Sequence, residues 1–104
     1  MNTLFKALSH PARRQIVAML RSGPKASGEI ASAFEMAWPT VTGHLTTLKD
    51  AGLVEAEREG ASIVYRLNIS AVEEAMAFLM DILRTGQDVE TPGAARAPQG
   101  APKR

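Results

Sequence analysis

Four threonines, Thr40, Thr42, Thr46 and Thr47, are clustered in one short stretch that also holds Pro39, Gly43 and His44. A threonine hydroxyl donates and accepts hydrogen bonds, and its methyl offers an apolar contact. A row of them therefore suits phosphate oxygens and base edges better than bond-making chemistry. At about 100° per residue on a helix, Pro39, Thr40, Thr42, Gly43, Thr46 and Thr47 face outward. Val41, Leu45 and Leu48 recur at i, i+4 and i+7 on the buried side, with His44 on the flank. The competing interpretation is an ordinary solvated face. Trp38, the sole tryptophan, either stacks on a nucleic-acid backbone or covers the core between two helices. Arg58 and Arg66 are phosphate candidates, although Glu55, Glu57 and Glu59 reduce the local field. Lys49 is equally a phosphate ligand or a solvated lysine. Arg13 and Arg14 clamp phosphate or pair with acidic residues, and the structural role suits at least one of them. Lys103 and Arg104 read as a charged, solvated end.

Other chemistries find little support. The chain has no cysteine, which excludes disulfides, thiolate metal sites and cysteine nucleophiles. His10 and His44 are the two histidines; one precedes a helix and the other lies within one, so no metal pair is expected. Glu73, Glu74 and Asp81 leave a carboxylate-based metal sensor as an alternative, against the preference of regulatory transition metals for His and Cys. No acid, base or nucleophile constellation has plausible spacing, so neither an enzyme nor a cofactor is expected.

The elements that must position these residues follow from periodicity. Leu4, Phe5 and Leu8 share one face of a helix over residues 2–8. His10 before Pro11 starts a second over 11–21, with Ile16, Val17 and Leu20 inward. Ser27 is the expected cap of a third over 28–34, with Glu29 near its positive end. A turn over 35–38 leads to the threonine helix, 39–51, which Gly52 ends. Strands over 53–58 and 62–67 join through Glu59, Gly60 and Ala61, with Ile63, Tyr65 and Leu67 alternating against Ser62, Val64 and Arg66. Ser70 is the expected cap of a last helix over 71–85. Its apolar residues, Val72, Ala75, Met76, Phe78, Leu79, Ile82 and Leu83, form a stripe too wide for one contact. Part of it can pack on the domain while the rest meets a second subunit.

The 104 residues leave room for one folded domain, 1–85. A tail over 86–104, rich in proline, glycine, alanine and charge, is expected to be disordered. A domain of that size gains much from dimerisation. Lys/Arg and Asp/Glu balance between residues 1 and 85, so attraction to phosphate must come from charge distribution rather than net charge. No apolar run approaches the length of a membrane span and no signal-peptide core is evident, so no membrane association and a cytoplasmic location are expected.

Several separated motifs now converge. The order helix, helix, helix-turn-helix, hairpin wing, helix resembles the ArsR-type winged-helix repressors of bacteria. Phe5-Lys6-Ala7-Leu8-Ser9-His10-Pro11-Ala12-Arg13-Arg14 is similar to the opening motif of that family. Gly28-Glu29-Ile30-Ala31, Pro39-Thr40-Val41-Thr42-Gly43-His44-Leu45, Leu48-Lys49-Asp50-Ala51-Gly52-Leu53-Val54 and Tyr65-Arg66-Leu67 follow in the family order. The likeness covers residues 2–83 and looks most like the SdpR-like, metal-independent branch.

The resemblance implies a mainly α winged helix-turn-helix with a small β-hairpin, in the order four helices, two strands and a fifth helix, that dimerises through its first and last helices. The interface would use Leu4, Phe5, Leu8, Met76, Leu79, Met80 and Leu83. It implies a repressor of its own or a neighbouring promoter that binds an inverted-repeat operator on double-stranded DNA. Helix 39–51 would enter the major groove, and the wing, 54–67, would lie on the backbone or minor groove. DNA contacts would come from Trp38, Pro39, Thr40, Thr42, Gly43, His44, Thr46, Thr47, Arg58 and Arg66. The resemblance supplies no effector. The sequence departs from the family pattern at four positions. Ala37 replaces a capping serine or threonine, Trp38 a polar reader, Gly43 a serine or histidine, and Ala61 a basic wing tip. The neutral charge and these departures keep a second reading open, a winged-helix dimer that acts through protein contacts.

Overall fold

In a computed structural model, residues 2–90 are described, with side chains up to Arg84. Five helices and three strands follow in order: α1 Asn2–Ala7, α2 Pro11–Leu20, β1 Lys25–Ala26, α3 Ser27–Ala31, α4 Trp38–Asp50, β2 Val54–Glu59, β3 Ser62–Leu67 and α5 Ile69–Glu90. This is the expected helical order with its hairpin, plus the short strand β1. β1 pairs antiparallel with β3, which pairs with β2, giving the sheet order β1-β3-β2. Two residues carry no alternation of their own. β1 exists because Lys25 and Ala26 pair with Tyr65 and Val64, a partnership invisible to local periodicity.

Most helix ends follow the expected chemistry. His10 caps α2, its Nδ1 accepting from the Ala12 N–H at 3.1 Å, with Pro11 in the first turn. Gly52, at φ +80°, ends α4. The Leu53 N–H donates to Leu48 O at 3.0 Å and the Gly52 N–H to Lys49 O at 2.9 Å, the paired bonds of a Schellman motif.

Two caps differ from expectation. Ser27 lies inside α3, whose N-cap is Ala26. Here the Glu29 carboxylate takes over, accepting the Ala26 N–H at 2.9 Å. Ser70 likewise lies inside α5. The Asn68 side chain accepts from the Ala71 N–H at 3.4 Å and donates to Gly52 O at 2.9 Å, tying the start of α5 to the end of α4. α3 is also shorter than expected, ending at Ala31 and leaving Phe34 half-buried in the turn.

The chain divides into two compact units, one through Val72 and one from Glu73 onward. In the first, α4 packs on α1, α2, α3 and β2. Ile16, Ile30, Val41, Leu45, Leu48, Leu53 and Val54 are its largest fully buried side chains, and each such burial contributes about 1.5–3 kcal/mol. α4 supplies three of them from one face, as the i, i+4, i+7 spacing predicts. Tyr65 is the buried residue of β3, while Ile63 and Leu67 are half-buried.

The second unit contains most of α5, which continues to Glu90, five residues beyond the expected boundary at residue 85. Residues 91–104 of the expected tail lie outside the described residues. Asp81 accepts a hydrogen bond from Arg84 one turn on. No described helix is long and apolar enough to cross a membrane.

Candidate nucleic-acid interface

α3, the turn over 32–37 and α4 form the helix-turn-helix. Ala37, the N-cap of α4, offers no side-chain bond. Its carbonyl accepts from Thr40 N–H at 3.0 Å and Val41 N–H at 3.1 Å, so the helix starts on backbone bonds alone. The outer face is the one expected: Pro39, Thr40, Thr42, Gly43, Thr46 and Thr47 are all exposed, and Trp38, the first residue of α4, is exposed beside them. The four threonines are not equivalent. Thr47 Oγ1 donates back to Gly43 O at 3.1 Å, which commits its proton to the helix. Thr40, Thr42 and Thr46 have no hydroxyl partner among the described residues, so their full donor and acceptor capacity faces outward. A Cβ at Gly43 would meet nothing within 4 Å. Glycine is therefore not demanded by packing there; it thins the outer face and lets another surface approach the backbone closely.

Trp38 is partly packed and partly exposed. A Cβ at Gly28 would lie 3.5 Å from its Cη2, ordinary van der Waals contact, so the indole lies over α3 at Gly28. It is nonetheless 56% exposed. One edge braces the helix-turn-helix and the remainder faces outward. Trp38→Ala should therefore weaken duplex binding by about 5- to 30-fold, the cost of about 1–2 kcal/mol, while leaving a cooperative thermal transition. A lost transition would assign the ring to the core.

His44 differs from the rest of the row. It is half-buried, its Nδ1 lies 3.2 Å from Arg13 Nη1, and its ring centroid is 4.4 Å from that of His10, tilted by 47°. The packing of α2 on α4 brings the two histidines side by side. No group of three or more His, Cys, Asp or Glu among the described residues could hold a metal ion. Burial first, then the neighbouring His10 and Arg13, push the His44 imidazole below its ordinary pKa, leaving it neutral at pH 7.

The wing turns at Gly60, φ +65°, and its two expected arginines behave differently. Arg66 is paired with Glu57 at 3.2 Å and lines a recess with Arg21, Pro24 and Ile69. Its guanidinium already has a carboxylate partner on the wing, with both side chains well exposed. Arg58, opposite Ile63, is exposed and has no partner among the described residues. Arg13 and Arg14 are structural, with backbone carbonyls as partners rather than carboxylates. Arg13 Nε donates to Ala7 O at 2.6 Å and Arg14 Nη1 to Leu8 O at 2.8 Å, closing the end of α1. Lys49 is exposed in the last turn of α4.

The residues expected at a subunit interface also separate. Leu4 is 6% exposed in the single chain, so it has little surface left for a partner. Phe5 and Leu8 are half-buried. Met76, Leu79, Met80 and Leu83 are all exposed on α5, together with Phe78 and Ile82.

Comparison with known proteins places this geometry among relatives. The pattern of the bacterial regulatory protein arsR family matches residues 10–56. The transcriptional repressor SdpR of Bacillus subtilis is 33% identical over 88 residues, covering 85% of this chain and 98% of that protein. The biofilm growth-associated repressor of Agrobacterium fabrum is 35% identical over 80 residues, 77% of this chain and 65% of that protein. A homodimeric winged helix-turn-helix DNA-binding domain from Mycobacterium bovis, solved by NMR, superposes with a TM-score of 0.65. It is 32% identical and the match covers 91% of this chain and 86% of that one.

Proposed function

Since the chain belongs to the arsR family of bacterial regulatory proteins, we propose that it is a transcriptional regulator that binds duplex DNA as a homodimer and represses by occupying promoter DNA. The observation that carries this reading is the division of α4, with Val41, Leu45 and Leu48 buried and Thr40, Thr42 and Thr46 exposed with unspent hydroxyls. α4 enters the major groove, where those hydroxyls reach base edges and phosphates. Arg58 on the wing and Lys49 at the end of α4 bind the flanking backbone. α1 and α5 form the dimer, through Phe5, Leu8, Met76, Leu79, Met80 and Leu83. Two-fold symmetry then calls for two inverted half-sites, one or more helical turns apart, upstream of its own or a neighbouring gene. Residues 1–85 make up the DNA-binding and dimerisation domain.

The exposed indole of Trp38 and the balance of Lys/Arg and Asp/Glu through residue 85 favour a second reading, in which the same face binds a protein. Salt separates the two. Each neutralised phosphate contributes about −0.9 to the slope of log affinity against log salt. DNA binding through Arg58 and Lys49 of two subunits should give a slope near −3 or −4 on this scale. A slope near zero would favour the protein partner.

A further inference from the structure

We propose that Arg13 is a positioning residue that seats the recognition helix through His44, and that this seat holds only while His44 is neutral. The inference rests on α4 being the DNA-reading helix. One guanidinium spans the corner: its Nε donates to Ala7 O at 2.6 Å and its Nη2 reaches Lys6 O at 3.5 Å, both at the end of α1. Its Nη1 meets His44 Nδ1 at 3.2 Å. Guanidinium only donates, so His44 Nδ1 must carry a lone pair and the ring must be the neutral Nε2–H tautomer. That lone pair is where a proton would add. Protonation would turn the acceptor into a donor facing a donor and set an imidazolium against Arg13, 4.4 Å from the His10 ring. His10 has committed its own Nδ1 to the Ala12 N–H.

No carboxylate compensates. The groups that bear electrostatically on His44 are His10, the cap of α2, and Arg13 within it. α1 offers the carbonyl of Lys6, whose ammonium is a further positive charge. The acid of α3, Glu29, is bonded to Ala26 N–H. On β2, Glu57 is paired with Arg66, and Glu55 and Glu59 are exposed. His44 follows Gly43 and precedes Thr46 and Thr47, so releasing its flank tilts the exposed row. The sign of the linkage follows. The folded state holds His44 below its ordinary pKa, so the stabilisation is complete above about pH 6.5 and is lost as pH falls from there towards the lowered folded value. Acid also adds positive charge near the DNA, which raises affinity for any duplex. The informative quantity is therefore selectivity.

The test compares the full chain with His44→Asn, whose Oδ1 can accept from Arg13 but does not titrate. Three quantities are measured between about pH 7.5 and 5.5. They are the thermal midpoint without DNA, the His44 ring titration by NMR, and the affinity ratio for the duplex upstream of the protein's own reading frame over a scrambled duplex. The wild-type ratio should fall by about 10-fold as its midpoint drops, whereas His44→Asn should change by less than about 2-fold. A wild-type pH response retained in His44→Asn, or a His44 ring titrating at or above its ordinary value, would overturn the proposal. A wild-type midpoint step that His44→Asn lacks, with no duplex preference at any pH, would uphold the titratable seat and count against the DNA reading.

Discussion

Replacing Thr42 and Thr46 together by glutamate is expected to abolish selective duplex binding, with a loss of about 100-fold or more, while the thermal midpoint changes little. Both side chains are exposed and neither hydroxyl has a partner among the described residues, so the fold loses no contact. Glutamate is also a better helix former than threonine by a few tenths of a kcal/mol. On the DNA side the change removes hydroxyl contacts, each worth about 0.5–1.5 kcal/mol as a neutral hydrogen bond. It also brings carboxylates towards phosphates in both half-sites. Thr47→Ala should cost much less, because its hydroxyl already donates to Gly43 O. Titration of labelled duplex by fluorescence anisotropy, alongside thermal melts, checks both parts. Undiminished binding by the double variant would place the DNA-reading face elsewhere.

Leu79→Glu should convert the dimer to monomer at micromolar concentration and lower duplex affinity by about 100-fold or more. Met76, Leu79, Met80 and Leu83 lie on one stripe of α5, each about half exposed. Phe78 and Ile82 widen the apolar arc to about 200° of the helix. Exposed apolar surface of that extent marks an interaction site. A carboxylate placed at its centre would be buried and unpaired in a dimer. Splitting the dimer removes the effective concentration that one bound half-site provides for the other, so affinity falls without any change in α4. Sedimentation or light scattering reads the mass, and the thermal midpoint of the wild-type protein should rise with concentration. An unchanged mass for Leu79→Glu would exclude this stripe as the interface.

Local chemistry made the centre of the fold legible in the sequence. Val41, Leu45 and Leu48 define the inner face of α4 by spacing alone, and the same arithmetic gives the exposed row. Gly52 and Gly60 mark the end of α4 and the tip of the wing because both need positive φ, which glycine adopts at no steric cost. What escaped is non-local. β1 is only a partner of β3. Asn68 displaces Ser70 as the cap of α5 because it also bonds Gly52 O, sixteen positions back. α3 begins at Ser27, one residue earlier than expected, with Ala26 as N-cap and its N–H held by the Glu29 carboxylate.

The same distinction runs through the site. Pairing of Arg66 with Glu57 was latent in the hairpin register, since Arg66 lies opposite Glu55 and Glu57 is the next carboxylate along that strand. The meeting of His10 with His44 depends on how α2 packs on α4, which no spacing rule reveals. Trp38 has its edge on Gly28 and more than half of its surface outward, a division that depends on how α3 and α4 pack and that no local spacing reveals.

The most direct test of sequence-selective DNA binding is fluorescence anisotropy of the duplex upstream of the protein's own reading frame against a scrambled duplex of the same composition. Each is measured at two salt concentrations. Selective binding should be at least about 100-fold tighter, since specific complexes typically exceed nonspecific ones by about 10³ or more, and both affinities should fall with salt. Equal, weak affinity for the two duplexes would contradict self-repression, and the same result across a random duplex library would contradict sequence-selective binding itself.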